Sequence, residues 1–220
     1  LLIFGALGWA GKAVEAATGQ TLGAYLRASV FEPLGMLDSG FVLGVSQRER
    51  LAGMHARNED GTVTPIPFEV PQEPEFFMGG GGLYSTGPDY LRFLRMLLNR
   101  GTLDGAQILT EQTVDDMFRN QIGDLEAGVL RTVTPSASND HDPFPGMPIR
   151  WGLGFMITTE AVPGRRDANS VAWAGLANTY YWIDQQRGIT GVIMTQILPF
   201  ADARVLKLYG DFERAVYSGL

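Results

Sequence analysis

The sequence contains no cysteine and very little histidine or lysine. Without cysteine there is no disulfide framework, no thiolate nucleophile and no cysteine-based zinc site, and the compartment stays open between cytoplasm and periplasm. The two histidines are His55 and His141, and the two lysines are Lys12 and Lys207. These counts restrict catalysis, because a nucleophilic serine needs a nearby group that takes its proton.

Long apolar runs and a surplus of positive charge are also missing. No run approaches the roughly 18–20 apolar residues that a membrane-spanning helix needs. The apolar start, residues 1–11, lacks a basic leader and is a poor secretory signal. With 17 Lys and Arg against 24 Asp and Glu, the net charge is −7, which gives nucleic-acid binding no electrostatic basis. The 220 residues, 45% of them hydrophobic, are enough for a real core, and we expect residues 1–220 to form one unit.

The first half of the chain has helical spacing. Gly19 is the expected stop of a first helix, and Thr21 the expected N-cap of a second that breaks at residues 31–36. Ser46–Glu49 has a capping-box pattern, and further helices should follow Ser85 or Thr86 and Thr110. Residues 57–77 hold four prolines among polar residues, which predicts an extended surface excursion without a helix.

Four consecutive glycines, residues 79–82, superficially resemble a phosphate-binding loop. Such a loop needs a Lys-Ser or Lys-Thr pair after the glycines, whereas Leu83 and Tyr84 follow here. The glycines instead predict a tight passage of the backbone beside a buried surface or a pocket.

The second half has the spacing of strands. Strands are expected at residues 151–159, 170–173, 178–184 and 189–196, and residues 184–188 form a natural turn between the last two. Residues 202–217 predict a closing helix with one apolar face. Helices followed by a strand meander and a last helix favour an α+β fold with an antiparallel sheet.

The usual serine-nucleophile arrangements are absent. Trp9 and Arg204 stand three residues before the two lysines, so there is no Ser-x-x-Lys, and Gly-x-Ser-x-Gly is missing too. His55 precedes a polar loop and His141 lies in an acidic turn, so both are expected at the surface. Three adjacent residues such as 140–142 rarely converge on one ion, and no metal site is expected.

The segment from Val171 to Asp184 is the richest in aromatic residues. Gly175 leaves bare backbone that a ligand could approach, and the Leu176 N–H could donate to an oxyanion. The same residues also fit a core strand pair with aromatic cross-strand contacts, and spacing alone favours that interpretation.

Several strings, in this order, resemble the serine β-lactamase and penicillin-binding-protein superfamily, in particular its class C-like esterase branch, the family VIII carboxylesterases. They are Gly11–Gln20 with Val30–Met36, Gly80–Thr86 with Asp89–Phe93, Trp151–Phe155 and Trp173–Gly175. In that branch a Trp-x-Gly replaces the Lys-Thr-Gly strand of the true β-lactamases. The resemblance implies the β-lactamase/transpeptidase-like fold, with an antiparallel sheet flanked by helices.

The resemblance also implies a mechanism that needs no cofactor. A serine in Ser-x-x-Lys attacks an ester carbonyl, a tyrosine helps to move the proton, and an acyl-enzyme forms. The second oxyanion donor would be the Leu176 N–H. The implied substrate pocket would be lined by Trp173, Ala174, Gly175, Tyr84 and Tyr181. Tyr84 is also a candidate to accept the proton in place of the missing base.

Family members are nearly twice as long, and their N-terminal half carries the serine and the lysine. The tyrosine motif would fall at Ile3 and Ala6, which have neither the phenol nor the amide. We therefore expect a C-terminal portion with no intact catalytic set, inactive alone toward ester or β-lactam substrates. Its exposed apolar surface would make it dimerise or pair with the missing half. The alternatives are a non-catalytic ligand-binding remnant of the fold and an acyltransferase relative.

Overall fold

A computed structural model describes the backbone of residues 2–219 and the side chains of residues 7–219. The helices are α1 Leu2–Thr18, α2 Leu22–Leu26, α3 Val45–Glu49, α4 Gly87–Leu98, α5 Glu111–Phe118 and α6 Ala203–Ser218, with a π-helical turn at Arg27–Phe31. The strands are β1 His55–Arg57, β2 Val63–Pro65, β3 Thr102–Leu103, β4 Ala106–Gln107, β5 Arg150–Trp151, β6 Met156–Ile157, β7 Val171–Gly175, β8 Thr179–Asp184, β9 Ile189–Ile193 and β10 Ile197–Leu198.

The central sheet has five antiparallel strands in the order β5-β6-β7-β8-β9. The turn between β8 and β9 contains Gly188 at φ +67°, a left-handed conformation that glycine adopts without a steric cost. The α+β fold with an antiparallel sheet and the β8–β9 hairpin are therefore confirmed.

Helices cover both faces of this sheet. Successive side chains of a strand point to opposite faces. On one side Val171 and Ile183 join a core cluster with Leu94 of α4, and on the other Ala172, Trp182 and their neighbours pack against Val205 and Tyr209 of α6. Strands β7 and β8 therefore form the buried middle layer.

The predicted helix boundaries are largely confirmed. Gly19, at φ +70°, follows the last residue of α1. The side-chain hydroxyls of Thr21, Thr86 and Thr110 each accept a hydrogen bond from the backbone N–H three residues later, at 3.2, 3.3 and 3.1 Å. Because each cap satisfies an otherwise unpaired N–H, the sequence alone could locate these helix starts.

Two predicted elements are wrong in their bounds. The short helix α3 begins at Val45, and Ser46 is not its cap: the Gly44 N–H donates to Gln47 Oε1 at 2.8 Å. Residues 151–159 are not one strand but the end of β5, a turn and β6. Gly152 lies against the carbonyl of Met117, where a Cβ would sit 2.1 Å from the oxygen, so packing against α5 bends the chain there.

The glycine run supports the predicted tight passage. A Cβ on Gly79 would lie 2.2 Å from the carbonyl oxygen of Leu7 in α1, so only glycine allows this approach. Residues 57–77 contain no helix, as expected, but β1 and β2 pair at their start, and β1 also pairs in parallel with β10. That residues 1–220 act as one unit stays a prediction.

Within residues 2–219, no helix combines the length and the apolarity needed to cross a bilayer.

Candidate functional site

One end of β7 has an unpaired edge. Strand β6 pairs with β7 at Val171 and Ala172 and stops there. The last three residues, 173–175, pair only with β8 on their other side. Unpaired backbone at a sheet edge can accept an additional strand or the polar groups of a ligand.

The turn after β7 extends this edge. The Asn178 N–H donates to the Gly175 carbonyl at 3.0 Å, which closes a tight turn with Leu176 at its second position. Leu176 is 39% exposed, and its N–H has no hydrogen-bond acceptor among the described residues. A free backbone donor at this place can stabilise an oxyanion that develops in front of the sheet edge.

The side chain of Asn178 holds this turn in place through hydrogen bonds. It is fully buried, and its backbone is left-handed, at φ 60°. Its Nδ2 donates to the carbonyls of Ile197 and Pro199, both at 2.8 Å. Its Oδ1 accepts from the Tyr180 hydroxyl at 2.8 Å and from the Asp202 N–H at 3.0 Å. The amide therefore ties the turn to the segment that leads into α6.

No sequence motif pointed to a role for Asn178. The available signal was an asparagine directly after a Gly-Leu-Ala turn between two strands, since asparagine tolerates the left-handed conformation. Its four partners could not be read from the sequence, because three of them lie 19–24 residues away.

Trp173 lies at the open end of β7 and is partly buried. Its ring packs edge-on against Trp151, with centroids 4.6 Å apart and an interplanar angle of 79°. It contacts both core clusters, and on the neighbouring strand it faces Tyr181. Trp173 therefore combines a packing role with a position beside the unpaired edge.

Tyr181 belongs to the core. Its ring lies 5.4 Å from that of Tyr90 on α4, and only 8% of the residue is exposed. Burial raises the pKa of Tyr90 to about 12 and the pKa of Tyr181 well above its ordinary value. Both phenols stay protonated near neutral pH, so neither is a proton acceptor there.

Tyr84 has different neighbours from the rest of the predicted pocket. Its hydroxyl accepts from the Val70 N–H at 3.1 Å and from Gln72 Nε2 at 3.3 Å. Its backbone exchanges two hydrogen bonds with Gly40. The structure thus groups Trp173, Ala174, Gly175 and Leu176 at one edge and places Tyr84 with residues 40 and 70–72. The pocket roles of Tyr84 and Tyr181 remain predictions.

Comparison with known proteins shows the family of this chain. The family model described as Beta-lactamase matches residues 4–215. This chain belongs to the Beta-lactamase family.

Two curated relatives have names that describe ester chemistry. The chain is 30% identical to the lovastatin esterase of Penicillium rubens, over 96% of this chain and 54% of that protein. It is 34% identical to the monacolin J acid methylbutanoyltransferase of Aspergillus terreus, over 98% of this chain and 54% of the relative. The chain thus spans about half the length of these relatives.

A solved structure has the same fold over nearly all of this chain. The LovD9 mutant of simvastatin synthase from Aspergillus terreus superimposes with a TM-score of 0.82 and 31% identity, covering 96% of this chain and 53% of that one. The resemblance to the β-lactamase superfamily and to its esterase branch, and the match to about half of each relative, are therefore confirmed.

In the described part of this β-lactamase-family chain, neither lysine lies beside a serine, as the Ser-x-x-Lys mechanism would require. Lys12 Nζ contacts Glu15 at 2.8 Å and Lys207 Nζ contacts Asp211 at 2.6 Å, both at the surface. Within residues 7–219, no serine hydroxyl forms a hydrogen bond with a lysine or a histidine. The slots assigned to the tyrosine motif, Ile3 and Ala6, lie outside the described side chains.

The predicted surface position of His141 is wrong. Only 8% of it is exposed, and its ring packs edge-on against Phe200 at 5.3 Å. Reciprocal backbone hydrogen bonds with Leu130 hold it there, and burial lowers its pKa. The neighbouring Asp140 accepts from Arg131 at 2.6 Å. Among the described residues, no three His, Asp or Glu side chains are grouped so that they could hold a metal ion.

Proposed function

We propose that this chain provides a backbone donor to the oxyanion in an acyl-transfer site. That site acts on carboxylic esters through an acyl-enzyme. The observation that carries the proposal is the unpartnered Leu176 N–H beside the unpaired edge of β7. The membership of the family and the esterase and acyltransferase names of the relatives support it.

In the proposed reaction, a serine oxygen attacks the ester carbonyl and its proton passes to a base. The carbonyl oxygen becomes an oxyanion, which accepts a hydrogen bond from the Leu176 N–H. When the tetrahedral intermediate collapses, the bond to the alcohol oxygen breaks and the alcohol leaves with the proton. Water then releases the acid from the acyl-enzyme by the same steps. Since no serine hydroxyl in residues 7–219 is hydrogen-bonded to a lysine or a histidine, we assign both groups to a Ser-x-x-Lys segment outside them.

Trp173 and Gly175 shape the proposed site. A Cβ on Gly175 would meet only the Cβ of Thr179, at 3.6 Å, which is ordinary contact, so packing alone does not require glycine. We infer that the missing side chain keeps the open edge accessible to the ester. The half-buried Trp173 then supplies an apolar wall for the acyl group.

The decisive substitution is Leu176→Pro, with Leu176→Ala as its matched control. Proline suits the second position of a tight turn and removes the N–H, whereas alanine keeps it. Both variants lose the same leucine side chain, so a difference between them isolates the backbone donor. The chain is mixed with an N-terminal segment of a relative that carries Ser-x-x-Lys, and hydrolysis of p-nitrophenyl butanoate is followed.

We expect hydrolysis only when both parts are present. Leu176→Pro should lower kcat by about 100- to 1000-fold relative to Leu176→Ala, as the loss of one oxyanion donor does in other hydrolases. Ester hydrolysis by this chain alone, or equal rates for the two variants, would overturn the proposal. Turnover-free quenching of Trp173 fluorescence by the ester would instead support the ligand-binding remnant.

The methylbutanoyltransferase relative favours a second candidate, transfer of the acyl group to an alcohol. The same mixture is therefore assayed with added butan-1-ol. Butyl butanoate as the main product would identify a transferase, and butanoate alone a hydrolase.

A further inference from the structure

A cavity of about 140 Å³ lies beside the α6 face of the sheet. Trp173 and Ala174 of β7 form one wall, and Phe144 and Leu206 add apolar surface. Arg165, Arg166 and Tyr209 supply polar groups, and His141 and Asp142 also line the cavity. It therefore has apolar walls and a positively charged region, and it adjoins the unpaired edge of β7.

The charged region is a buried ion cluster. Arg166 is 1% exposed and donates from Nε to Glu213 Oε1 at 2.7 Å and from Nη2 to Glu213 Oε2 at 2.9 Å. Nη2 also donates to the Tyr209 hydroxyl at 2.6 Å. The remaining nitrogen, Nη1, has no hydrogen-bond acceptor among the described residues. A buried charged donor without an acceptor is costly, so Arg166 leaves positive charge uncompensated beside the cavity.

A second donor and the local charge indicate the nature of that group. The Tyr209 oxygen accepts from Arg166, and its own proton has no acceptor in the described part of the chain. Arg165 approaches Glu213 at 3.5 Å, so two guanidinium groups face one buried carboxylate. Asp142, which also lines the cavity and is exposed, offsets part of this excess from the solvent side. The inner region therefore favours an anion.

We propose that this cavity binds a short aliphatic monocarboxylate. Its carboxylate accepts from the Tyr209 hydroxyl beside the Arg165 and Arg166 guanidinium groups, and its hydrocarbon chain lies against Phe144 and Leu206. The volume of the cavity suits this ligand. An engineered cavity of about 150 Å³ holds benzene, and benzene and butanoate each have six non-hydrogen atoms. Water alone would satisfy the donors but would leave the apolar walls wet and the positive charge unbalanced. That the ligand is the acid half of an ester substrate rests on the proposed function; the binding itself does not.

Calorimetry on the whole chain tests this inference with sodium butanoate, sodium chloride and butan-1-ol at equal ionic strength. We expect saturable binding of butanoate with a dissociation constant of about 1 mM, given its six heavy atoms. Butan-1-ol should bind at least tenfold more weakly, because it has the same chain and no charge. Equal binding of alcohol and carboxylate, or no saturable binding of butanoate, would overturn the inference.

Variants locate the binding. Tyr209→Phe keeps the ring and removes the donor, and Arg165→Gln removes a charge, so each should weaken butanoate binding about tenfold. Lys207→Gln on α6 is the control, since Lys207 contacts Asp211 at the surface. Where Tyr209→Phe does not fold by circular dichroism, Ala174→Leu fills the cavity from β7 and should abolish binding. The site would be refuted if Arg165→Gln left the affinity for butanoate unchanged and if the same held for Tyr209→Phe, or for Ala174→Leu where Tyr209→Phe does not fold.

The binding and the ester assays separate the two proposals. Hydrolysis with the complementing segment but no butanoate binding would refute the carboxylate site alone. Butanoate binding without any restored turnover would refute the proposed function, and with it the identity of the ligand as the acid half of the ester.

Discussion

Replacing Asn178 with alanine tests whether one amide holds the turn that carries the candidate oxyanion donor. The substitution removes four hydrogen bonds, two donated to the carbonyls of Ile197 and Pro199 and two accepted from Tyr180 and Asp202. It also places alanine at φ 60°, a left-handed position that costs about 1–2 kcal/mol.

The magnitude follows from the groups left behind. Each buried polar group without a partner costs about 1–3 kcal/mol, and water that enters the space of the lost amide recovers part of this. We therefore expect Asn178→Ala to lower the free energy of unfolding by about 3–5 kcal/mol, at the upper end of single substitutions. At about 2–4 °C per kcal/mol for a chain of this size, Tm should fall by roughly 10 °C.

Asn169→Ala is the matched control. Asn169 has nearly the same backbone conformation, at φ 62°, and its side chain forms no hydrogen bond among the described residues. This variant should lose only the left-handed backbone term of about 1–2 kcal/mol. Urea unfolding followed by circular dichroism gives both values. If the two variants lose the same stability, the four hydrogen bonds do not hold the turn and this reasoning fails.

Two further predictions concern the glycine run and the buried histidine. Gly79→Ala should cost about 1–3 kcal/mol, because its Cβ would clash with the Leu7 carbonyl, whereas Gly87→Ala, with open space around it, should change stability little; equal urea midpoints for the two would contradict this. Burial lowers the pKa of His141 in the folded state, so the unfolded chain binds its proton at higher pH. Stability should fall as the pH drops below about 6.5, down to the folded pKa, and His141→Gln should reduce that slope in urea midpoints measured between pH 7.5 and 5. An unchanged slope would show that His141 does not contribute.

Local signals allowed much of the fold to be predicted from the sequence. Gly19, Thr21, Thr86 and Thr110 end or begin helices through contacts within a few residues, and the turn before Gly188 sets the β8–β9 hairpin. The family strings located the Trp173–Gly175 strand for the same reason, because they are contiguous in the chain. Where a distant backbone intervened, as at Gly152 against Met117, the predicted strand was wrong.

Tertiary structure decided the rest. The edge of β7 is open because β6 ends after two pairs, and no local pattern determines where a partner strand stops. Arg166 meets Glu213 and Asn178 meets Asp202 across 47 and 24 residues, so these buried polar clusters form only after the sheet and α6 have packed. Sequence patterns record which face of an element is apolar, but burial and hydrogen-bond partners depend on segments brought together from far apart. The lack of a Ser-x-x-Lys was therefore visible at once, whereas the unpartnered donors of Leu176 and Arg166 emerged only from the packed chain.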